Sequence, residues 1–267
     1  MKKKGIALVE RQYLFPFVLI TSLFFLWGFA HAILDVLNKH FQELLTITRT
    51  HSAMIQATMY MGYFIMAIPA GLFINRHGYR RGVVLGLLLY GTGSLLFIPG
   101  QYIASFNMFL FSLFVIGCGL TFLETAANPY VTELGARETA ASRLNFAQSF
   151  NGLGCIFAPI LTGLLLFSDD DKGAGGNVAL PYAVMGVVVL LAALAFVRVP
   201  LPEIPHEEEV DSEGRRVSLW SHKLFVFGLA ALFAYEVAEI SINSFFINYV
   251  TEVGWMNARD ASLVLSF

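Results

Sequence analysis

Residues 107–131, NMFLFSLFVIGCGLTFLETAANPYV, decide the fold: the run carries a single charged side chain, Glu124. A helix needs about 20 mostly apolar residues to cross the hydrocarbon core of a bilayer. This stretch meets that length. Lipid offers its backbone no hydrogen-bond partner, so the polar groups of the chain must be satisfied within the helix.

Runs of the same kind cover approximately 13–37, 52–75, 82–102, 143–167, 178–199 and 221–250, and a further one begins near Ala261. Val36, Leu37, Phe41, Leu44 and Leu45 prolong a helical face beyond the first run. Of all 267 residues, 57% are hydrophobic, 14% aromatic and only 13% charged, and the mean hydropathy is +0.66. Soluble domains carry about 25% charged residues, so the apolar surface here is more than a compact soluble core hides. The fold expected is an all-α integral membrane protein. The net charge of −2 is uninformative about nucleic acid, but no basic, aromatic-rich patch appears, so no nucleic-acid partner is expected. Cys118 and Cys155 both lie in apolar runs and read as packing residues, not as a disulfide framework.

Lys2, Lys3 and Lys4, followed by an apolar stretch ending in Ala30-His31-Ala32, imitate a signal peptide. The run from Tyr13 to Ala30 is longer than the roughly 7–15 residues of a signal core, and more spans follow, so a retained first helix is expected. Lys and Arg sort by side. With the N-terminus in the cytoplasm, the inner segments hold Lys2, Lys3, Lys4, Arg11, Arg76, Arg80, Arg81, Arg137, Arg143, Arg198, Arg215, Arg216 and Lys223. Lys39, Arg49, Lys172 and Arg259 fall outside, and this bias fixes the orientation.

Residues 200–219, PLPEIPHEEEVDSEGRRVSL, form the one long polar interruption and read as a solvated cytoplasmic linker. Three parts follow from it: a complete N-terminal six-helix bundle over 1–199, the linker over 200–219, and the beginning of a second bundle over 220–267. A pair of six-helix halves is a common build for a transporter. The chain stops at Phe267 inside an apolar run, which reads as a truncated second half.

Ionisable groups inside apolar helices suggest the chemistry. Asp35 follows FFLWGFAHAIL, and Glu124 sits in IGCGLTFLETAANPY. Such an acid costs about 2.5–3.5 kcal/mol at a helix centre, so it should face a water-filled cavity or an internal partner. An acid placed there can take a proton from one side and release it to the other. Polar stripes accompany the acids. Glu124 and Asn128 stand four apart and share a face. Asn145, Gln148 and Asn151 follow at intervals of three and are read as a second stripe. Amides both donate and accept, which suits a neutral polyhydroxylated ligand. An anionic ligand would call for an intramembrane Lys or Arg, and none lies in the apolar centres. The same amides could also serve interhelical packing, worth about 0.6–2 kcal/mol each. Glu239 and Asn243 are likewise four apart, with Glu236 and Tyr235 nearby. Trp27, Tyr60, Tyr63 and Phe64 could stack on a sugar ring, though aromatics are common throughout the chain.

His31 and Asp35 are four apart and His40 and His51 follow, but no HExxH or paired-cysteine spacing supports a metal site. No nucleophile motif, phosphate loop or nucleotide fingerprint appears. Neither an enzyme nor a cofactor is expected.

Gly71-Leu72-Phe73-Ile74-Asn75-Arg76-His77-Gly78-Tyr79-Arg80-Arg81-Gly82 resembles the basic loop between helices two and three of the major facilitator superfamily, with Asn75 in place of the usual aspartate. Gly71, Asn75, Arg76, Gly78, Arg80 and Arg81 are thus expected to serve conformational switching. Gly78 supplies a tight turn, and the arginines bond helix-terminal carbonyls or nearby acids. The run Leu123-Glu124-Thr125-Ala126-Ala127-Asn128-Pro129-Tyr130-Val131-Thr132 closely resembles the helix-four signature of the fucose:proton symporter family, a sugar-transporting branch of that superfamily. Residues 143–151, RLNFAQSFN, look like its helix-five signature. Phe25-Leu26-Trp27-Gly28 with Asp35 resembles its helix one, and Gln56 through Phe64 its helix two. Ala238-Glu239-Ile240-Ser241-Ile242 resembles the helix-seven segment of its glucose/galactose members.

The resemblance implies twelve helices around a central cavity and proton-coupled uptake of a hexose or 6-deoxyhexose across the cytoplasmic (inner) membrane. It assigns Glu124 and Asp35 to proton coupling. Substrate binding is expected from Glu124, Asn128, Gln148, Asn151, Asn145, Glu239 and His31. The departures are at His31 and Leu34, where fucose-type members carry asparagines, and at Lys39, where a proline is common. These leave the sugar open, and protons are preferred over sodium as the coupling ion. An uncoupled sugar facilitator or sensor, and an inactive fragment of the transporter, remain as alternatives.

Overall fold

The computed structural model describes residues 7–166, 179–198 and 219–266. Lys2, Lys3, Lys4, Lys172, Phe267 and all of the expected linker over 200–219 but its last residue, with Arg215 and Arg216, lie outside the described residues.

The apolar runs form helices α1 (Leu14–Leu44), α2 (Arg49–His77), α3 (Tyr79–Leu95), α4 (Phe97–Ile103), α5 (Phe106–Glu133), α6 (Ala140–Leu166), α7 (Ala179–Arg198), α8 (Lys223–Glu252) and α9 (Ala258–Leu265). Among the described residues, six spans are long and apolar enough to cross a membrane: Arg11–Gln42, Arg49–His77, Tyr79–Ile103, Phe106–Glu133, Ala179–Arg198 and Lys223–Glu252. The expected span at 82–102 begins earlier, at Tyr79, and is broken at Leu96. The break has a local cause: Pro99 has no N–H to give the carbonyl four residues back, so the helical ladder fails there. Side chains cap the N-terminal ends of α2 and α9. Thr48 Oγ1 accepts from the His51 N–H at 3.2 Å and Asn257 Oδ1 from the Asp260 N–H at 2.8 Å, in the manner of helix N-caps.

α5 lies between α2 and α3, α7 covers α3, and α6 packs along α1. Small residues let these backbones approach. A Cβ on Gly119 of α5 would lie 2.6 Å from the Tyr90 nitrogen of α3, and one on Gly154 of α6 would lie 2.7 Å from the Phe29 nitrogen of α1. Lipid supplies little hydrophobic drive between helices, so close van der Waals approach of this kind carries the association. Gly154→Leu is therefore expected to cost about 1–3 kcal/mol by overpacking. Gly152→Ala, where the added methyl meets nothing within 4 Å, should be neutral. Thermal unfolding in detergent separates the two.

Arginines tie together one end of the bundle. Arg80 Nε donates to the Phe196 carbonyl at 3.1 Å, and Nη2 donates to that of Val197, closing the end of α7. Buried Arg143 donates from Nε to the Val131 carbonyl at 3.0 Å. Its Nη1 serves the carbonyls of Leu8 at 3.1 Å and Ala136 at 3.0 Å and the Thr139 hydroxyl at 2.6 Å, and Nη2 serves the Thr132 carbonyl. The segment expected as a basic loop is nearly all helix: Gly78, at φ +85°, is the one residue between α2 and α3. Only a residue free of Cβ adopts that backbone without strain.

At the opposite end, Arg49 of α2 pairs with Glu252 of α8. α8 is exposed from its start through Glu239 and becomes buried at Ser244, Ile247, Asn248 and Val250. It thus meets α1 through its second half and stands apart along its first. α9 rests on α6, where a methyl added to Gly163 would overlap the Ser262 side chain.

Candidate functional site

Helical spacing gathers the polar residues of five helices around one cavity. From α1 come Trp27, Gly28, His31, Ala32 and Asp35, a stripe on successive turns. Gln56, Tyr60 and Tyr63 repeat at four and three on α2, and Asn151, Cys155 and Pro159 at four on α6. α5 supplies Glu124; α8 supplies Glu236, Glu239 and Asn243. The space enclosed is about 730 Å³, within the usual range for a small-molecule site.

An aromatic wall forms one side. Trp27 Nε1 donates to Tyr63 Oη at 3.0 Å. The His31 ring centre lies 5.8 Å from that of Trp27, 5.6 Å from Tyr63 and 6.1 Å from Tyr60. His31 Nδ1 meets the Trp27 carbonyl at 3.1 Å. A carbonyl only accepts, so Nδ1 carries the hydrogen in this contact and Nε2 is left as the acceptor of a neutral ring. On the next turn, Asp35 Oδ1 accepts from Gln56 Nε2 at 3.0 Å and from Ser244 Oγ at 3.5 Å. Asn151 Nδ2 donates to the Phe24 carbonyl at 3.3 Å, which fixes the amide at the α1–α6 contact. Asp35, Glu124, Glu236 and Glu239 line the cavity, and among the described residues no Lys or Arg does. Such a lining disfavours an anion and offers acceptors to hydroxyl groups.

Five of the candidates expected from the sequence come together in this cavity: Asp35, Glu124, Asn151, Glu239 and His31. Asn128 lies one turn from Glu124 in a small recess between α1 and α5, beside Leu23, Phe24 and Trp27. Gln148 Nε2 reaches Asn128 Oδ1 at 3.4 Å, behind the cavity wall. Asn145 is exposed and lines neither space. The stripe expected at 145, 148 and 151 therefore splays: with 3.6 residues per turn, each step of three falls about 60° short of a full turn. Gly71, Asn75, Arg76, Gly78, Arg80 and Arg81 stand at the arginine-tied end and do not line the cavity. Gln56, Asn38 and Ser244 carry no site role in the sequence reading, and Cys155, expected as a packing residue, lines the cavity. For Gln56 a signal existed, since it heads the Gln56–Tyr60–Tyr63 stripe. For Ser244 none did, since its partners lie on a helix some two hundred positions earlier.

The model of the Major Facilitator Superfamily matches residues 17–267. A glucose/galactose transporter of Brucella abortus is 36% identical over 259 residues, 95% of this chain and 63% of that protein. The L-fucose-proton symporter of Escherichia coli is 35% identical over 282 residues, 96% of this chain and 64% of that protein. The chain thus spans just under two thirds of the length of these relatives. The crystal structure of an E. coli fucose:proton symporter superposes with a TM-score of 0.69 at 31% identity, covering 96% of this chain and 68% of that one. A helical fold with glycine-mediated packing, the site it encloses and the match over residues 17–267 agree: the chain belongs to the Major Facilitator Superfamily.

Proposed function

We propose that this chain carries the substrate and proton sites of a sugar:proton symporter that takes up a hexose or 6-deoxyhexose by alternating access. It is a transporter, not an enzyme. The observation that carries the reading is the cavity in which Asp35 and Glu124 face Asn151 and an aromatic wall, with no Lys or Arg among its described lining residues. Glu124 carries the transported proton and accepts a sugar hydroxyl, while Asp35 assists in coupling. Asn151, Glu239 and His31 contact the sugar, and Asn128 and Gln148 act from behind the wall by tying α5 to α6. Trp27, Tyr60 and Tyr63 offer ring faces to the sugar's C–H groups. Protons drive the cycle in this reading, which the relative named an L-fucose-proton symporter supports. The relatives named for glucose/galactose and for L-fucose transport support a neutral sugar. The protein sits in the cytoplasmic membrane with its N-terminus inside, as the sorting of Lys and Arg supports. Arg80 and neighbouring residues at the basic end then face the cytoplasm and hold the helices that must move.

The test is uptake of labelled fucose, glucose and galactose into proteoliposomes with an imposed pH gradient. Accumulation that a protonophore abolishes is expected for at least one sugar. Sugar equilibration indifferent to the gradient overturns coupling. No uptake together with no sugar-induced change in Trp27 fluorescence overturns the substrate class.

A further inference from the structure

Asp35 does more than line the cavity, because its carboxylate is also part of what closes one end of it. Asp35 Oδ1 accepts from Gln56 Nε2 of α2 and from Ser244 Oγ of α8. One turn further along α1, Asn38 Nδ2 donates to the Ser244 carbonyl at 2.6 Å. Asn38 Oδ1 in turn accepts from Gln42 Nε2 at 3.2 Å, and Gln42 Nε2 also reaches Ser52 Oγ of α2 at 2.8 Å. Asn38, Ser52 and Ser244 are buried. Ser244 is therefore gripped through both its hydroxyl and its backbone by two residues of α1. It is also the first buried residue of α8, whose preceding half is exposed.

We propose that Ser244, with Asn38 and Gln56, is a positioning residue that makes closure of this end of the cavity depend on the charge of Asp35. The proposal rests on the symporter reading above, in which this end faces outward. At 3.5 Å the Ser244 hydroxyl stands at the outer limit of hydrogen-bond reach of Asp35, and an ionised carboxylate draws it in more strongly than a neutral acid, since a charge-assisted bond is about twice as strong. Asp35 as carboxylate holds α8 through Ser244; Asp35 as carboxylic acid holds it more weakly. Proton binding thus loosens the outer closure, and proton loss restores it. Other titratable groups face Asp35 and must be separated from it: His31 on α1, Tyr60 on α2, Glu124 on α5, Cys155 on α6, and Glu236 and Glu239 on α8. The Arg49–Glu252 pair lies beyond the clasp on the same end.

The test reads the closure itself and needs no sugar. Spin labels go on exposed Thr50 of α2 and exposed Val253, the residue after α8, with Cys118 and Cys155 replaced by serine, and their distance distribution is followed by electron paramagnetic resonance across pH. The parent should shift toward longer distances as pH falls, with the open-to-closed ratio changing by about tenfold. In Ser244→Ala and in Asp35→Asn the ratio should stay near its acidic value at every pH. Ser244→Thr, which keeps the hydroxyl, should restore the dependence. Glu252→Gln, which lies beyond the clasp and outside the cavity, should leave the pH-dependent shift in place. A Ser244→Ala protein with the parent's pH response overturns the proposal. A protein that shows the response but transports no sugar leaves the clasp standing and overturns the symporter reading instead.

Discussion

Glu124→Gln is expected to abolish pH-driven sugar accumulation while sugar exchange between two equal pools survives. The size of the loss follows from the gradient. Each pH unit is worth about 1.4 kcal/mol per proton, or tenfold in concentration. One proton per sugar across two pH units therefore supports an accumulation of about 100-fold, and an uncoupled protein supports none. Glutamine keeps the length of the side chain and an oxygen that accepts a sugar hydroxyl, but it cannot bind and release the proton. A variant that has lost only sugar binding would lose exchange too. Measuring both in the same vesicles assigns the residue its role: retained accumulation removes Glu124 from coupling, and lost exchange moves it from coupling to the sugar site alone. Asn145→Ala, on the exposed side of α6, should leave both unchanged.

Much of this was legible because lipid imposes a simple grammar. Apolar runs long enough to span had to be helices, and the observed α1, α2 and α5 begin and end within a few residues of the expected bounds, save that α1 runs on through Leu44. The face through Phe41 and Leu44 had marked that extension. The acids were legible for the same reason: Asp35 and Glu124 would be costly against acyl chains, so they had to point inward, and both line the cavity. Fine rotation was not legible. A spacing of three looks like one face over a single step and drifts off it over two, which is why Asn151 reaches the cavity and Asn145 does not. Long-range partners were not legible either. Nothing in the sequence near Ser244 tells that α8 presents it to Asp35 and Asn38, because that depends on how two helix groups lean together. Arg143 shows a third limit. As one of many basic residues it counted toward orientation, yet it is fully buried, and its role lies in backbone carbonyls that sequence cannot locate.

Arg143→Met is expected to cost about 1–3 kcal/mol of stability, because it strands the buried Val131 carbonyl and the part-buried acceptors around it. Two of those acceptors, the carbonyls of Val131 and Thr132, belong to the last turn of α5, where intrahelical partners run out. A positive charge there also meets the negative end of the helix dipole. Ala136 and Thr139 add the connection to α6, and Leu8 adds the segment before α1. Methionine fills similar volume but offers no donor. Lysine should recover little, since its three donors sit on one atom while Nε, Nη1 and Nη2 serve acceptors in different directions. Thermal unfolding in detergent is the measurement: a large drop for methionine and nearly as large a drop for lysine are expected. Full recovery by lysine would mean that charge at the helix end, and not the fork of donors, holds the α5–α6 connection. Deleting the chain through Leu8 removes one acceptor of the set and should cost far less than either substitution, because the guanidinium keeps its remaining partners and gains water in place of the lost carbonyl.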